Sequence, residues 1–321
     1  MERRRFLTRI ALAAASAAAI GTPARAQSAN LIRIGTGPDP ATTPVLYGVS
    51  AGLYQKVGLT VEPMLLANGA AAMAAVSGGS LDVGKNSTVA TISTIAKGVP
   101  FTAIGSLGYY DATKPNYALL VPADSPIKEP KDLAGKVFGS LSLADQNSIA
   151  TYMWLEKHGV DTSTMKHLEL PPAAALGAFE AHRVDAVTVF EPFFSSMLAS
   201  GKARALGYPY EAIANRFPDT LMFANTSWVA AHKDVVDKFL RATAEASAYV
   251  AAHERETAPL LAAFLKLDPA VVLNQRFPGR GVTLTPEVLQ PVIDAAAKFK
   301  AIDKAFPASE MIYAGALKRY P

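Results

Sequence analysis

Residues Ala70–Thr88 read AAAMAAVSGGSLDVGKNST, and residues Ala173–Pro192 read AAALGAFEAHRVDAVTVFEP. Each is a run of small residues suited to a helix, then a polar turn, an aspartate and a short apolar run. Both follow a glycine-ended strand pattern at matched distance. Gly35 precedes Asp82 by 47 residues and Gly139 precedes Asp185 by 46. Between these landmarks, YQKVGLTVE (Tyr54–Glu62) is echoed by LEKHGVD (Leu155–Asp161). The spacing predicts two copies of one unit, running strand, polar loop, helix, strand, helix, strand. Two similar α/β lobes are the expectation.

The first 26 residues stand apart from this pattern. Met1–Arg9 is basic, Ile10–Ile20 is apolar, and Ala24-Arg25-Ala26 has the small residues of a cleavage site, as in a cleaved export signal. The apolar run falls short of the about 20 residues that cross a bilayer. Arg3-Arg4-Arg5-Phe6-Leu7 resembles a twin-arginine motif, with Glu2 where Ser or Thr is usual; the general secretory route is the alternative. The formal charge of +4 belongs to this segment, which carries five arginines against Glu2. The remainder is neutral and gives no support to nucleic-acid binding, which needs clustered cations. There is no cysteine, so disulfides, thiolate metal sites, a cysteine nucleophile and a lipid-anchored N-terminus are all excluded. The expectation is a soluble, monomeric protein of the periplasm, exported and not lipid-anchored.

Along the rest of the chain, Leu31–Ile34 reads as a strand entering the loop TGPDPATTP. Thr43 is placed to cap a helix that opens at Pro44 and ends near Lys56. Leu59–Leu65 is the next strand, and Asn68 caps a helix through Val76. Leu81–Val83 is a strand, and Asn86, Ser87 and Thr88 are candidate caps for a helix to Lys97. Phe101–Ser106 is a strand, followed by Gly108-Tyr109-Tyr110. In the second copy, Ser142 or Asp145 caps a helix to His158, and Asp185–Val189 is a strand. Leu221–Val229 reads as a strand returning to the first lobe. Beyond it, Val236, Phe239, Leu240 and Thr243, then Leu289, Val292 and Ile293, mark the core faces of two helices. Alternating strands and helices imply mostly parallel sheets with helices on both sides.

The chemistry is easier to place than to name. There is no P-loop, no Gly-x-Ser-x-Gly elbow, and no zinc-like spacing among the five histidines. No catalytic residue, metal or cofactor is expected. What stands out is a set of polar loops where strands meet helices, the place where open α/β sheets bind ligands. Helix N-terminal amides there can hold an anion without an arginine. The candidate ligand residues are Thr36, Gly37, Asp39, Thr43, Asn68, Gly69, Asn86, Ser87 and Thr88 in the first lobe. In the second they are Ser140, Ser142, Gln146, Asn147, Phe190 and Glu191. Tyr109 and Tyr110 lie near the hinge and either stack on a flat ligand or pack in the core. Taken singly, each Ser or Asn is a helix cap; taken together, they face one crevice. Asp39 and Glu191 would favour N–H donors on a ligand. Glu191 could instead tie the lobes together, and Lys85 either meets an anion or points to solvent.

Four segments carry a resemblance that covers most of residues 31–230. GLYQKVGLTVE (Gly52–Glu62), SGGSLDVG (Ser77–Gly84), DSPIKEPKDLAGKVFG (Asp124–Gly139) and HRVDAVTVFEPF (His182–Phe193) look like successive motifs of one family. The chain resembles the substrate-binding proteins of ABC importers for sulfonates, nitrate and taurine, a group that extends to pyrimidine precursors of thiamine. His182 stands where glycine is usual and Phe190 where tryptophan is usual. The resemblance implies a periplasmic binding protein fold of type II, with two α/β lobes and a cleft at a two-strand hinge. Lobe 1 would be residues 30–116 and 221–321, and lobe 2 residues 117–220. It implies capture of a small organic anion or zwitterion and delivery to a membrane permease, with ATP hydrolysed by a separate subunit. A pyrimidine or other N-heterocyclic ligand is the alternative, followed by an enzyme on the same fold; the effector domain of a transcription regulator is disfavoured by the export signal.

Overall fold

A computed structural model describes residues 30–318; the export signal expected at residues 1–26 lies outside them. The strands are β1 (Leu31–Thr36), β2 (Thr60–Leu65), β3 (Val83–Ser87), β4 (Phe101–Asp111), β5 (Ala118–Pro122), β6 (Val137–Ser140), β7 (Lys166–Glu169), β8 (Ala186–Val189), β9 (Ala203–Gly207) and β10 (Arg216–Asn225). The helices are α1 (Thr43–Ser50), α2 (Leu53–Lys56), α3 (Gly69–Ser77), α4 (Thr88–Ala96), α5 (Gln146–Lys157) and α6 (Ala175–Glu180). They continue with α7 (Phe193–Ala199), α8 (Thr226–Ala231), α9 (Lys233–Ala252), α10 (Glu254–Leu265), α11 (Pro269–Leu273) and α12 (Pro286–Lys298).

The strands form two sheets, ordered β2-β1-β3-β10-β4 and β7-β6-β8-β5-β9. The order is the same in both once the repeat is superposed: β1, β2 and β3 correspond to β6, β7 and β8. In each sheet the fourth strand is antiparallel to both neighbours, so the other four run one way. The sheets are therefore mixed rather than simply parallel. The reversed strands are those that follow a crossing: β5 after the chain first leaves the first sheet, β10 after it returns. Neither belongs to the repeated unit.

The repeated aspartates have a common job. Asp82 N–H donates to the Arg33 carbonyl at 3.0 Å, and its carboxylate accepts the Arg33 N–H at 2.8 Å. Asp185 N–H donates to the Val137 carbonyl at 2.8 Å, and its carboxylate accepts the Val137 N–H at 2.8 Å. Each aspartate thus starts the third strand of its unit by closing a two-bond clasp on the first. It satisfies a backbone amide that would otherwise be lost at a strand start.

Apolar clusters cover both faces of both sheets. One of them is shared. Ile149 and Ala150 of α5, with Tyr210, join Val89 and Ile92 of α4 and Leu289, Val292 and Ile293 of α12. The second sheet's helix α5 is packed into the first sheet's helical layer. This seam brings the carboxyl-end loops of the two sheets together.

Several local expectations change. The helix placed at 44–56 is broken in two at Gly52, whose φ of 69° ends one turn and starts another. Thr43 is the first residue of α1 and donates to the Pro40 carbonyl at 2.9 Å; the cap is Asp39, on a preceding turn over Pro40–Thr42. The strand placed at 81–83 is β3, shifted to Val83–Ser87. The run Leu221–Val229 is cut at Asn225, which caps α8 by accepting the Ser227 N–H at 3.0 Å.

Candidate functional site

The loops that follow β1, β2 and β3 carry the first group of candidate residues. Asp39 accepts the Ala41 N–H at 3.0 Å and is ion-paired with Lys85, whose side chain is 1 % exposed. Lys85 therefore neither meets solvent nor waits for an anion: it neutralises Asp39 from β3. Asn68 accepts the Ala71 N–H at 3.0 Å and caps α3. Asn86 packs onto Gly69 so tightly that a Cβ there would lie 2.0 Å from its side-chain atoms. Ser87 caps α4 by accepting the Ala90 N–H at 3.4 Å. Thr36 and Thr88 are fully buried and donate to the Met64 and Pro218 carbonyls. Gly37 offers its carbonyl to Thr42 Oγ1.

The second group surrounds the end of β6. Ser140 Oγ bonds Ser148 Oγ and His167 Nε2, the latter at 2.9 Å, and donates to the Ser142 carbonyl at 3.1 Å. Asp145 accepts the N–H groups of Ser142 and Ser148, both at 2.8 Å, and so caps α5. Burial nevertheless pushes its pKa up. Gln146 bridges the two sheets: its Oε1 accepts the Val89 N–H in the first turn of α4 at 3.2 Å. Its Nε2 donates to Tyr210 OH at 3.1 Å and to the Asp219 carbonyl at 3.4 Å. Tyr210 OH donates in turn to Asn147 Oδ1 at 2.6 Å. The two groups of loops thus meet directly at Gln146.

The expectation that helix amides stand open for an anion is modified by these contacts. Side chains already fill the amides of Ala41, Ala71, Val89, Ala90 and Ser148. What these loops carry is a set of hydroxyls, amide side chains and carboxylates held in fixed positions by bonds to the chain.

The Phe190-Glu191 corner is built differently from its expectation. Phe190 sits edge-on to Phe193, with ring centroids 6.0 Å apart. Glu191 is buried and accepts from Ser195 Oγ at 2.7 Å, Ser195 N at 3.3 Å and Arg276 N at 3.0 Å. Burial raises its pKa against these donors. Its oxygens are spent on the chain, which makes it a tie between the corner and the segment after α11. Tyr109 and Tyr110 are likewise not free to stack on a ligand, because β4 continues through both. Tyr110 packs among Tyr210 and Phe217. Tyr109 lies under Arg216, 4.1 Å from its ring centre, and its hydroxyl bonds the Thr283 carbonyl. Burial pushes the Tyr109 pKa up to about 12.

Residues that sequence reasoning passed over complete the neighbourhood. His167 is one of the five histidines without zinc-like spacing, and nothing in its local sequence marks it as a partner of Ser140. Asp219 is 4 % exposed, and burial raises its pKa with Asp39 nearby. Arg276 reaches the Pro115 carbonyl at 3.1 Å and Arg280 the Pro40 carbonyl at 2.9 Å. The run QRFPGRG, residues 275–281, was the available signal, two arginines in a loop rich in turn formers. Among the described residues no group of three His, Cys, Asp or Glu side chains could hold a metal. A concavity of about 550 Å³ lined by Pro122–Pro126, Phe179, His182 and Asp185 lies at the opposite pole of the second sheet, where β8 begins, and is not this site.

Two mixed sheets of matching order, joined by crossing strands and with their carboxyl-end loops in contact, define the periplasmic binding protein fold. The chain belongs to the NMT1/THI5-like family, whose model matches residues 39–257. It is 26% identical over 291 residues to a Brucella abortus protein whose name gives it a candidate binding role, covering 88% of this chain and 85% of that one. It is 30% identical over 134 residues to an Escherichia coli protein named for aliphatic sulfonate binding, covering 41% and 40% of the two chains. The periplasmic aliphatic sulphonate binding protein SsuA of Escherichia coli superposes with a TM-score of 0.76 at 22% identity, covering 88% of this chain and 92% of that one. The desulfurization enzyme DSZB shares the fold at a TM-score of 0.67 and 13% identity, covering 90% and 97%.

Proposed function

We propose that this chain is the solute-binding component of an ABC importer. It takes a small organic anion or zwitterion of the sulfonate class between two lobes and presents the closed form to a membrane permease. Lobe 1 is residues 30–116 with the C-terminal part, lobe 2 the segment between. The return crossing is drawn just ahead of Arg216, where β10 joins the first sheet. The observation that carries the reading is the contact between two equivalent sets of strand-end loops at Gln146, which accepts the Val89 N–H and donates to the Asp219 carbonyl; Ser140, Ser142 and Asn147 on one side and Asp39, Asn68 and Ser87 on the other would meet the solute. A solute that touches both sets favours the closed arrangement by its differential affinity. The names of the sulfonate-binding relatives support the class of solute. A transport role accords with the family, and export to the periplasm with the signal-like residues 1–26.

The test is a thermal-shift screen of residues 27–321 against taurine, alkyl and aryl sulfonates, nitrate and aminopyrimidines. A solute at 100-fold excess over its Kd adds about 2.7 kcal/mol, or about 5 °C for a chain of this size. A shift confined to sulfonates, with the solute recovered unchanged, is the expected result. Turnover of the solute would replace transport by catalysis, and a shift confined to aminopyrimidines would replace the solute class.

A further inference from the structure

The two units match in register but not in chemistry. Gly35 pairs with Met64 and Gly84, and Gly139 pairs with Leu168 and Val187. Gly35 therefore superposes on Gly139, Met64 on Leu168 and Gly84 on Val187. Counting on from these anchors, Asp39 of the first unit is replaced by Leu143 in the second, Asn68 by Pro172, Lys85 by Thr188 and Ser87 by Phe190. The Asp39–Lys85 ion pair becomes a leucine and a threonine, and Thr188 is bonded to Thr151 at 2.8 Å. The caps Asn68 and Ser87 become a proline and a phenylalanine. At equivalent strand ends, lobe 1 is polar and lobe 2 apolar.

The loop after β6 shows the consequence. Its backbone is turned inward: Ser142 N–H donates to Asp145 at 2.8 Å, the Ser142 carbonyl accepts from Ser140 Oγ and Ser148 Oγ, and Leu143 N–H donates to Glu169 at 3.2 Å. On either side of Ser142, Leu141 is 51 % exposed and Leu143 59 %, the two most exposed large apolar side chains among the described residues. Single exposed leucines are ordinary. Two on one short loop, with half-buried Phe190 at the end of the adjoining strand β8, make a patch. The patch ends three residues before Gln146, which accepts the Val89 N–H of lobe 1 at 3.2 Å. It therefore borders the contact between the lobes.

We propose that lobe 2 takes the apolar end of the solute and that Leu141 and Leu143 select for it, while the acid group lies towards the polar loops of lobe 1. This rests on the solute-binding reading above and narrows it: the solute is a sulfonate that carries an alkyl or aryl group. Each methylene laid on the leucines removes apolar surface from water on both partners. An ammonium in the same place would give up hydration and gain no hydrogen bond, so taurine is a poor ligand.

The experiment measures Kd by calorimetry for methane-, propane- and butanesulfonate and for taurine, which matches propanesulfonate in size. Wild type is compared with the double variant Leu141→Ser/Leu143→Ser, whose substituted side chains are exposed and whose Tm should be unchanged. In wild type, Kd should fall about threefold per added methylene, and taurine should bind about tenfold more weakly than propanesulfonate. The serine variant should keep the methanesulfonate Kd and lose the dependence on length. A flat wild-type series, or taurine preferred to propanesulfonate, would overturn the assignment and leave solute binding in place. So would a serine variant that keeps the slope, which gives the leucines to the permease or a second copy, or one weakened equally at every length, which gives them to the loop's structure. No binding of any sulfonate would instead overturn the solute class, and the apolar end with it.

Discussion

At the scale of single residues, His167 is the most informative. Ser148 Oγ donates to the Ser142 carbonyl at 2.6 Å, and Ser140 donates within the same cluster. Nε2–H of His167 then completes the cluster by donating to Ser140 Oγ, which leaves Nδ1 buried and without a partner among the described residues. A proton on Nδ1 would be a buried N–H without an acceptor. Desolvation accordingly lowers the His167 pKa below its ordinary 6.5, with Asp145 and Glu169 pulling the other way. The sign follows from linkage. Between the two pKa values the unfolded chain holds more protons than the folded one. The stabilising effect is complete above 6.5 and is lost as pH falls through the lowered value. His167→Gln keeps a donor for Ser140 without a titrating ring. Its Tm should therefore fall less steeply than that of wild type as pH drops below 6.5, and the two melting curves against pH should converge above it. Parallel curves across that range would mean that His167 plays no part in the pH response of the loop.

At the scale of elements, the turn between α6 and β8 shows what the repeat specifies and where this chain departs from it. Counting back from Asp82 and Asp185, Gly79 corresponds to His182. Both are left-handed, with φ of 71° and 51°. Both close the same helix end: Gly79 N–H bonds the Val76 carbonyl and His182 N–H the Phe179 carbonyl, and the next amides reach Ala75 and Ala178. A side chain in this conformation costs about 1–2 kcal/mol, part of which glycine returns in unfolded-state entropy. His182→Gly should therefore stabilise the protein by about 0.5–1 kcal/mol, seen as a higher urea midpoint at unchanged slope, with solute affinity untouched. A lower midpoint would mean that the imidazole makes compensating contacts at the pole of the second sheet. The glycine position was legible from the family resemblance, in which His182 stands where glycine is usual. Other elements were not, for identifiable reasons. Two prolines, Pro40 and Pro44, each suit the first position of a helix, so the choice between Asp39 and Thr43 as cap depended on tertiary context. Tyr109 and Tyr110 look like loop residues because the strand that buries them, β10, lies about a hundred residues downstream and leaves no local mark on β4.

At the scale of the whole molecule, spacing and the Asp-strand motif were enough to give two similar units, seen as two sheets of matching strand order. What they could not give was the third party to that arrangement. Residues 274–283 have no periodicity, yet Arg276 and Arg280 bond the corner of one unit and the loop of the other. The tie at Glu191 is the test of this strap. Its carboxylate accepts the Arg276 N–H, while the Arg276 guanidinium lies over Phe194 at 4.8 Å and reaches Pro115 in the crossing segment. Glu191→Ala removes that acceptor and strands a partly buried N–H, at a cost of about 1–3 kcal/mol. Freed of the strap, the solute-free protein should open, raising its radius of gyration in small-angle scattering and weakening solute binding. Glu191→Gln keeps an oxygen for Arg276 and should behave nearly as wild type in both measurements. The two variants separate the roles offered by the sequence. If Ala opens the molecule and Gln does not, Glu191 acts on the chain. Should Gln instead lose affinity for an amine-bearing solute at unchanged Tm and radius, the carboxylate meets the solute itself. An Ala variant with wild-type radius would remove the strap from the account of closure, leaving the crossing strands and the α4–α5–α12 seam to set the angle between the units.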